Sequence, residues 1–185
     1  MAHRLCPWWL GYLLASPIRR LWHNPRKILQ PSVTEGMRVL EPGPGMGFFT
    51  LELARLVGPR GKVFAVDVQP KMLAVLQRRA RKAGLHDRIE ARHIQAESMG
   101  LDDLAGTIDF ALAFAMIHEL PDASRFLDEM HHAMGQNRSL LVAEPRGHVK
   151  EAHFAALMEK AKRAGFQVAP GPETHLSWTA ILRRG

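Results

Sequence analysis

The sequence has few of the residues from which a disulfide framework or a metal site is built. Its 185 residues include one cysteine, Cys6, so no disulfide can form within the chain. No cysteine pairs have metal-ligand spacing, and the ten histidines are scattered. The adjacent His131 and His132 would point about 100° apart on a helix, which is unsuitable for one shared ion. We therefore predict no metal site, and the single cysteine favours a reducing compartment, the cytoplasm.

Long apolar runs are also absent. The run 7–15, Pro-Trp-Trp-Leu-Gly-Tyr-Leu-Leu-Ala, is far too short to span a bilayer. It is similar to a signal-peptide core, but Ser-Pro-Ile-Arg-Arg at 16–20 stands where a small-residue cleavage site would follow. Two interpretations stay open: a lid that folds over a ligand pocket, which we favour, and an interfacial anchor that makes peripheral membrane contact.

Positive charge is in excess, with a formal net charge of +7. Much of it lies in the run Gln-Arg-Arg-Ala-Arg-Lys at 77–82, with Arg pairs at 19–20 and 183–184. Apart from Trp22, aromatic residues do not interleave with these runs, so there is little sign of a base-stacking platform. A solvated basic face is the favoured interpretation, and RNA binding is the alternative.

The most informative stretch is Val-Leu-Glu-Pro-Gly-Pro-Gly-Met-Gly-Phe-Phe-Thr at 39–50. An apolar run ends in Glu41, glycines follow at alternate positions, and a second apolar run ends in Asp67. This pattern predicts a strand, a tight turn, a helix and a second strand that hold an adenosine-bearing ligand above a parallel sheet. A dinucleotide fingerprint would need glycine where Phe48 stands, and Glu41 would repel a pyrophosphate. A nicotinamide oxidoreductase is therefore disfavoured, and a ligand with a cationic end is favoured.

Glu41, the turn glycines Gly43, Gly45 and Gly47, and Asp67 resemble the nucleotide-binding motifs of class I S-adenosylmethionine (SAM)-dependent methyltransferases. The resemblance implies SAM as cofactor and S-adenosylhomocysteine as product. It implies that Glu41 receives the α-ammonium of the methionine moiety and that Asp67 accepts the ribose hydroxyls. The alternative for Asp67 is a cap on the turn before Pro70.

The resemblance implies further cofactor contacts outside the loop, from Val68, Met72, Gln95, Ala96, Glu97 and Phe114. Val68 and Met72 would contact the adenine or ribose, and Phe114 would line the methionine end. After its third strand the family usually carries Asp-Ala, whereas this chain has Gln95-Ala96 followed by Glu97. Either Gln95 or Glu97 would then hold the adenine amino group, since both side chains offer an acceptor oxygen.

On the acceptor side, the segment 115–122 resembles the small-molecule branch of the family, which includes quinone-biosynthesis-type methyltransferases. It lacks the Asn-Pro-Pro-aromatic signature of amino-directed nucleic-acid and protein methyltransferases. We predict His118 as a general base, because the ordinary pKa of histidine suits proton removal, with loop packing as the equal alternative. Glu144 is predicted to orient an amine or hydroxyl, and His148 is the next candidate. Glu119 and Asp122 are expected to cap a helix.

Hydrophobic periodicity predicts seven strands that alternate with helices, which is an α/β pattern. Its resemblance to the class I methyltransferase layout implies a doubly wound, mostly parallel seven-stranded sheet with helices on both faces, and we expect an N-terminal helical cap. We expect the cap over 1–36 and the SAM-binding domain over 37–185. The predicted strands are 37–41, 62–68, 89–94, 108–114, 139–143, 166–169 and 178–183. The predicted helices are a short one within 24–35, one from the glycines to 57, and 70–83, 121–135 and 150–164.

These observations favour a cytoplasmic SAM-dependent methyltransferase that transfers a methyl group to a small, lipophilic acceptor by in-line displacement. Two alternatives stay open. The basic runs would suit an RNA methyltransferase, and the fold would also serve a SAM-binding protein without turnover. The acceptor atom and the oligomeric state are left undetermined by the sequence.

Overall fold

The computed structural model describes residues 24–95 and 98–185, which fall into two compact units divided in sequence between residues 97 and 98. Seven strands form one sheet in the order β3-β2-β1-β4-β5-β7-β6. The reversal of strand order after β1 is the hallmark of a doubly wound α/β fold, which confirms the predicted fold class. The strands are β1 Arg38–Pro42, β2 Lys62–Asp67, β3 Ile89–His93, β4 Ile108–Phe114, β5 Met134–Pro145, β6 Phe166–Pro170 and β7 Ser177–Arg184.

The described residues contain five α-helices. None of the helices within 24–95 and 98–185 has the length and apolar character needed to cross a membrane. The helices are α1 Pro25–Leu29, α2 Thr50–Leu56, α3 Pro70–Lys82, α4 Ala123–Ala133 and α5 Glu151–Arg163. Of the residues 1–36 predicted as a cap, 1–23 lie outside the described residues, and the described residues 24–36 include α1.

The first unit is built on parallel pairing of β1 with β2 and of β2 with β3. The register sets Glu41 opposite Ala65 and places Asp67 opposite His93 at the far end of β2. Helix α3 packs its apolar stripe onto the sheet: Leu73 and Leu76 form a core cluster with Ala65. Because the strands run the same way, their carboxyl ends, with Glu41 and Asp67, lie at one edge of the sheet.

The second unit pairs β4 with β5 in parallel, and β5 with β7 and β7 with β6 antiparallel. The terminal antiparallel pair was predicted and is confirmed. Helix α5 buries Leu157, Met158 and Ala161, which recur at helical spacing on one stripe. The observed bounds of β4, 108–114, are those predicted. Its almost continuous apolar run is typical of a strand that is buried on both faces.

Two predicted boundaries are wrong. Helix α4 begins at Ala123 and not at Pro121, because the Asp122 side chain accepts hydrogen bonds from the Ser124 and Arg125 amides (2.9 and 3.1 Å) and so caps the helix. Strand β5 starts at Met134, five residues early, and its pairing with β4 shifts register just after this start, near Asn137 with its positive φ. Helix α1, Pro25–Leu29, is a short helix that lies within the predicted range 24–35.

Candidate functional site

The loop between β1 and α2 carries the three alternating glycines, all with positive φ: Gly43 at 67°, Gly45 at 54° and Gly47 at 84°. The Gly43 amide donates to the Val66 carbonyl at 2.9 Å, and the Gly47 amide donates to the Pro44 carbonyl at 3.0 Å. No described atom lies within 4 Å of where a Cβ on Gly45 would stand. At Gly45 a side chain would therefore project into open space, where a ligand can approach the backbone closely.

Gly47 has a different reason to be glycine. A Cβ built there would overlap Leu76 Cδ1, a fully buried side chain of α3. Arg79, one turn later on α3, donates a hydrogen bond to the Met46 carbonyl. The glycine loop is therefore held to α3 by packing and by a hydrogen bond, which fixes its shape before any ligand arrives.

Glu41, the last acidic residue before this loop, is buried with 4% exposure. Its Oε2 has no hydrogen-bond partner among the described residues. The pKa of the Glu41 carboxyl is raised to about 8, chiefly by burial; the nearby Thr50 hydroxyl opposes this rise, and the charge of Asp67 contributes to it. Buried polar atoms are almost always hydrogen-bonded in folded proteins, so this oxygen is suited to a cationic ligand group.

Asp67, at the end of β2, is 8% exposed. Its Oδ1 accepts a hydrogen bond from the Gln69 amide at 2.9 Å, so it caps the turn before Pro70, as the alternative interpretation expected. A carboxylate offers about four acceptor positions, so this cap is compatible with a ribose contact. Val68 follows directly and is partly exposed, and Met72 is buried on α3.

The remaining predicted cofactor residues are more dispersed. Gln95 is exposed after β3, and Ala96 and Glu97 lie outside the described residues. Phe114 ends β4 in the second unit and is partly buried. The structure thus groups Glu41, the glycines, Asp67, Val68 and Met72 in the first unit, and the acceptor-side candidates belong to the second.

In the second unit, Glu144 and His118 are hydrogen-bonded to each other. Glu144 is 1% exposed near the end of β5, and its Oε2 contacts His118 Nδ1. The other oxygen, Oε1, accepts from the Ile117 amide at 2.8 Å. Both oxygens of this buried carboxylate therefore have partners, and Glu144 fixes the position of the imidazole. The sequence suggested each residue separately, but not that they would bond across 26 positions.

The contact changes the protonation of His118. The hydrogen bond to Glu144 raises the pKa of the imidazole, burial lowers it, and the negative charges of Glu144 and Glu119 raise it, so that the net shift is upward. In the neutral ring, Nδ1–H donates to Glu144, which leaves Nε2 as an acceptor without a hydrogen-bond partner among the described residues. Such a pair can hold a proton, bind an anion, or take a proton from a hydroxyl.

The loop after β5 is fixed by contacts that the sequence did not reveal. Trp178 Nε1 donates to the Val149 carbonyl at 2.9 Å, and the Arg146 guanidinium lies 4.1 Å from the Trp178 ring centroid. The Arg146 amide donates to the Leu176 carbonyl at 2.9 Å. This loop carries His148, whose ring centroid is 5.8 Å from that of His118. The Trp-Arg spacing across 32 positions offers no local sequence signal.

Comparison with known proteins gives one family and several relatives. A family model described as "Methyltransferase domain" matches residues 33–184. A ubiquinone/menaquinone biosynthesis C-methyltransferase of Hahella chejuensis is 32% identical over 133 residues, covering 71% of this chain and 52% of that protein. A ubiquinone biosynthesis O-methyltransferase of Methylocella silvestris is 33% identical over 127 residues, covering 68% and 47%. The chain thus spans about half the length of the curated relatives it matches.

Among solved structures, a SAM-dependent methyltransferase from Aquifex aeolicus superposes with a TM-score of 0.88. The alignment covers 98% of this chain and 100% of the other, at 24% sequence identity. At this identity the likeness concerns the fold, and it agrees with the strand order described above.

Proposed function

This chain belongs to the methyltransferase domain family, and from that premise we propose that it is a SAM-dependent methyltransferase acting on a small, lipophilic acceptor. The observation that carries the proposal is Glu41, a buried carboxyl with an oxygen lacking a partner among the described residues, at the edge of a glycine loop. An acid in such a place is stabilised by a cation, and the α-ammonium of SAM is one. A pyrophosphate at the same place would meet a carboxylate.

The cofactor residues take the following roles in this proposal. Glu41 holds the α-ammonium, the open backbone at Gly45 lies against the ligand, and Asp67 accepts from the ribose. The adenine is contacted by Val68, Met72 and the segment of Gln95, Ala96 and Glu97, and Phe114 lines the methionine end. SAM, when bound, supplies a methyl group already activated by the sulfonium, so the protein has to align the acceptor and exclude water.

His118 and Glu144 serve the acceptor. With Nδ1–H fixed on the Glu144 carboxylate, Nε2 of the neutral ring can take the proton of an acceptor hydroxyl or acidic C–H. General-base help of this kind contributes about 10²–10⁴-fold in rate. Glu144 is buried and has both oxygens engaged, so it acts as a positioning residue for the imidazole.

The names of the relatives support the acceptor class. One is described as a C-methyltransferase and one as an O-methyltransferase of quinone biosynthesis, so a small lipophilic ring compound is the class we propose. The single cysteine in the sequence supports a cytoplasmic location. Residues 1–36, with their apolar run, are proposed as a cap, and an anchor that contacts a membrane surface is the alternative.

Substitution of Asp67 tests the cofactor site. Asp67→Ala should abolish SAM binding in titration calorimetry, because the ribose loses its acceptor. Circular dichroism should show an intact fold, since the side chain caps a single turn. The matched control is Asp87→Ala, which removes an exposed acid of the same unit (86% side-chain exposure) and should bind SAM as the parent does. Unchanged affinity in Asp67→Ala would refute the ribose role.

An RNA acceptor is the second candidate, favoured by the exposed basic residues of α3, among them Arg78, Arg81 and Lys82. It predicts binding to tRNA or rRNA that weakens steeply with salt, because released counterions drive such binding. No retention on RNA at low salt would eliminate it. A SAM-binding protein without turnover is the remaining alternative; formation of S-adenosylhomocysteine with quinol-type acceptors would exclude it.

A further inference from the structure

A cavity of about 380 Å³ opens beside the His118–Glu144 pair, entirely within the second unit. Its walls come from the turn after β4, the end of β5, the following loop and one face of α5. This size lies in the range of small-molecule sites, which are roughly 300–1,000 Å³. The cavity is large enough for a bicyclic organic molecule.

The polar side chains of the wall that are available to a ligand are positively charged whenever they carry a charge. The titratable residues of the wall are Glu144, His118, His148, His153 and Lys160. Glu144 is the one acid among these wall residues, and its two oxygens are bonded to the Ile117 amide and to His118. The other four side chains are cations whenever they are charged.

Lys160 is the strongest of these cations. It is partly buried on α5, and its ammonium group has no ion-pair or hydrogen-bond partner among the described residues. The neighbouring acid Glu159 does not neutralise it, because its Oε1 is bonded to Lys162 Nζ at 2.6 Å. A partly buried ammonium with no counter-charge among the described residues attracts an anion, so a ligand anion at this place is favoured.

The rest of the wall is apolar. Ile117, Val149 and Leu157 face the cavity and are 3%, 7% and 9% exposed. A small inorganic anion would leave this surface covered by water alone. An organic anion would fill it with an apolar body and set its charged group against Lys160.

We propose that this cavity holds the methyl acceptor through an anionic group on an apolar body, with Lys160 as its counter-ion and His153 and His148 as further donors. The inference rests on the proposed function, because it names the acceptor class of that same site. It narrows the class from small and lipophilic to amphiphilic acids, such as aromatic carboxylates.

A matched pair of probes tests the charge requirement. 2-Naphthoate and 2-naphthamide have the same ring body, and one of them carries the charge. We expect 2-naphthoate to bind the full chain about tenfold more tightly than 2-naphthamide, the ratio given by about 1.4 kcal/mol of charge-assisted hydrogen bonding. Lys160→Met should remove most of that preference while leaving 2-naphthamide affinity unchanged.

Lys162→Met is the control, since Lys162 lies on the same helix and pairs with Glu159 on the surface. It should retain the preference for 2-naphthoate. His153→Gln supplies a second variant and should weaken 2-naphthoate by a smaller factor. In NMR spectra the bound probe should shift the imidazole signals of His148 and His153 and leave those of His86 and His93 in the first unit unmoved.

Equal affinity for the two probes, no binding of 2-naphthoate at its solubility limit, or an unchanged preference in Lys160→Met would overturn the inference. The measurements use neither SAM nor turnover. Binding of 2-naphthoate through Lys160 without binding of SAM would therefore contradict the proposed function and support the anion site. Binding of SAM without a preference for 2-naphthoate would support the proposed function and contradict this acceptor class.

Discussion

Two buried glutamates, one in each unit, differ in how many of their carboxyl oxygens have hydrogen-bond partners. Glu41 ends the apolar run of β1 and Glu144 lies near the end of β5, and they are 4% and 1% exposed. Glu144 has both oxygens engaged, by an amide and an imidazole. Glu41 has an oxygen without a partner among the described residues, and burial raises its pKa to about 8.

The difference indicates that the hydrogen bonds of Glu144 are satisfied within the protein, whereas Glu41 has an oxygen that a ligand can bind. A buried carboxylate with its partners in place belongs to the folded framework, and its removal leaves those partners unsatisfied. A buried carboxyl without a partner costs stability, and a protein keeps such a group where a ligand offsets the cost. Substitution of the two residues should therefore change stability in opposite directions.

The largest effect is expected at Glu144. Glu144→Ala leaves the Ile117 amide and the His118 imidazole without their acceptor and opens a cavity, which should lower the free energy of unfolding by about 3–5 kcal/mol. Urea denaturation followed by circular dichroism at pH 7 measures it. Glu173→Ala, at an exposed position in the same unit, should leave the midpoint unchanged. A loss in Glu144→Ala no larger than that of the control would show that the His118 pair contributes nothing to stability.

The two acids also mark what the sequence could and could not predict. Glu41 and Asp67 were placed at strand ends because an apolar run followed by an acid and glycines is a local pattern. The bond between Glu144 and His118 joins residues 26 apart, and its existence depends on how the turn after β4 lies against β5. Residue patterns within one element carry no information on that contact.

Boundaries failed where one side chain overrode a general preference. Pro121 is a favourable first residue of a helix, but the Asp122 side chain satisfies the first amides of α4 and moves the start to Ala123. The polar residues at 135–139 are typical of a loop, whereas Met134 already pairs with β4. Lys160 was missed because an unpaired cation on a helix face is visible only once its neighbours in space are known.

The second effect, of opposite sign, is expected at Glu41. In the unfolded chain the carboxyl ionises near its ordinary pKa of 4.5, whereas in the folded protein the pKa is about 8. Between these values the folded state binds more protons, so stability falls as pH rises from 4.5 to 8 and is level above. Glu41→Gln removes the charge and should raise the free energy of unfolding by about 3 kcal/mol at pH 7, at about 1.4 kcal/mol per pH unit.

Urea titrations at pH 5, 7 and 8.5 measure this slope. The gain in Glu41→Gln should be small at pH 5 and should grow with pH. Glu35→Gln, which changes an exposed acid of the same unit whose side chain is 54% exposed, should follow the parent curve at all three values. SAM affinity should fall in Glu41→Gln, because the ammonium loses its anionic partner. A variant that is less stable than the parent at pH 8.5 would contradict the assignment of Glu41 as an unsatisfied acid.

The smallest effect is a change in protonation at His118. The hydrogen bond to Glu144 is the main cause that raises the pKa of His118; burial lowers the pKa, and the charges of Glu144 and Glu119 raise it. The His148 ring also faces this imidazole, with the two ring centroids 5.8 Å apart. The stabilisation from this pair is complete below pH 6.5 and is lost as pH rises through the raised pKa. Glu144→Gln keeps the shape of the acceptor and removes its charge, so it should bring the His118 pKa down.

NMR titration of the imidazole signals gives both values. His131 is the internal reference: burial, followed by the charge of Arg184, lowers its pKa, so it should titrate below His118 in the parent and stay in place in Glu144→Gln. If His118 serves as the base, activity should rise with pH through its raised pKa and shift to lower pH in the variant. An activity profile that does not follow the shifted titration would show that His118 is not the base. Glu144 would then affect only the stability of the protein, and not the pH dependence of its activity.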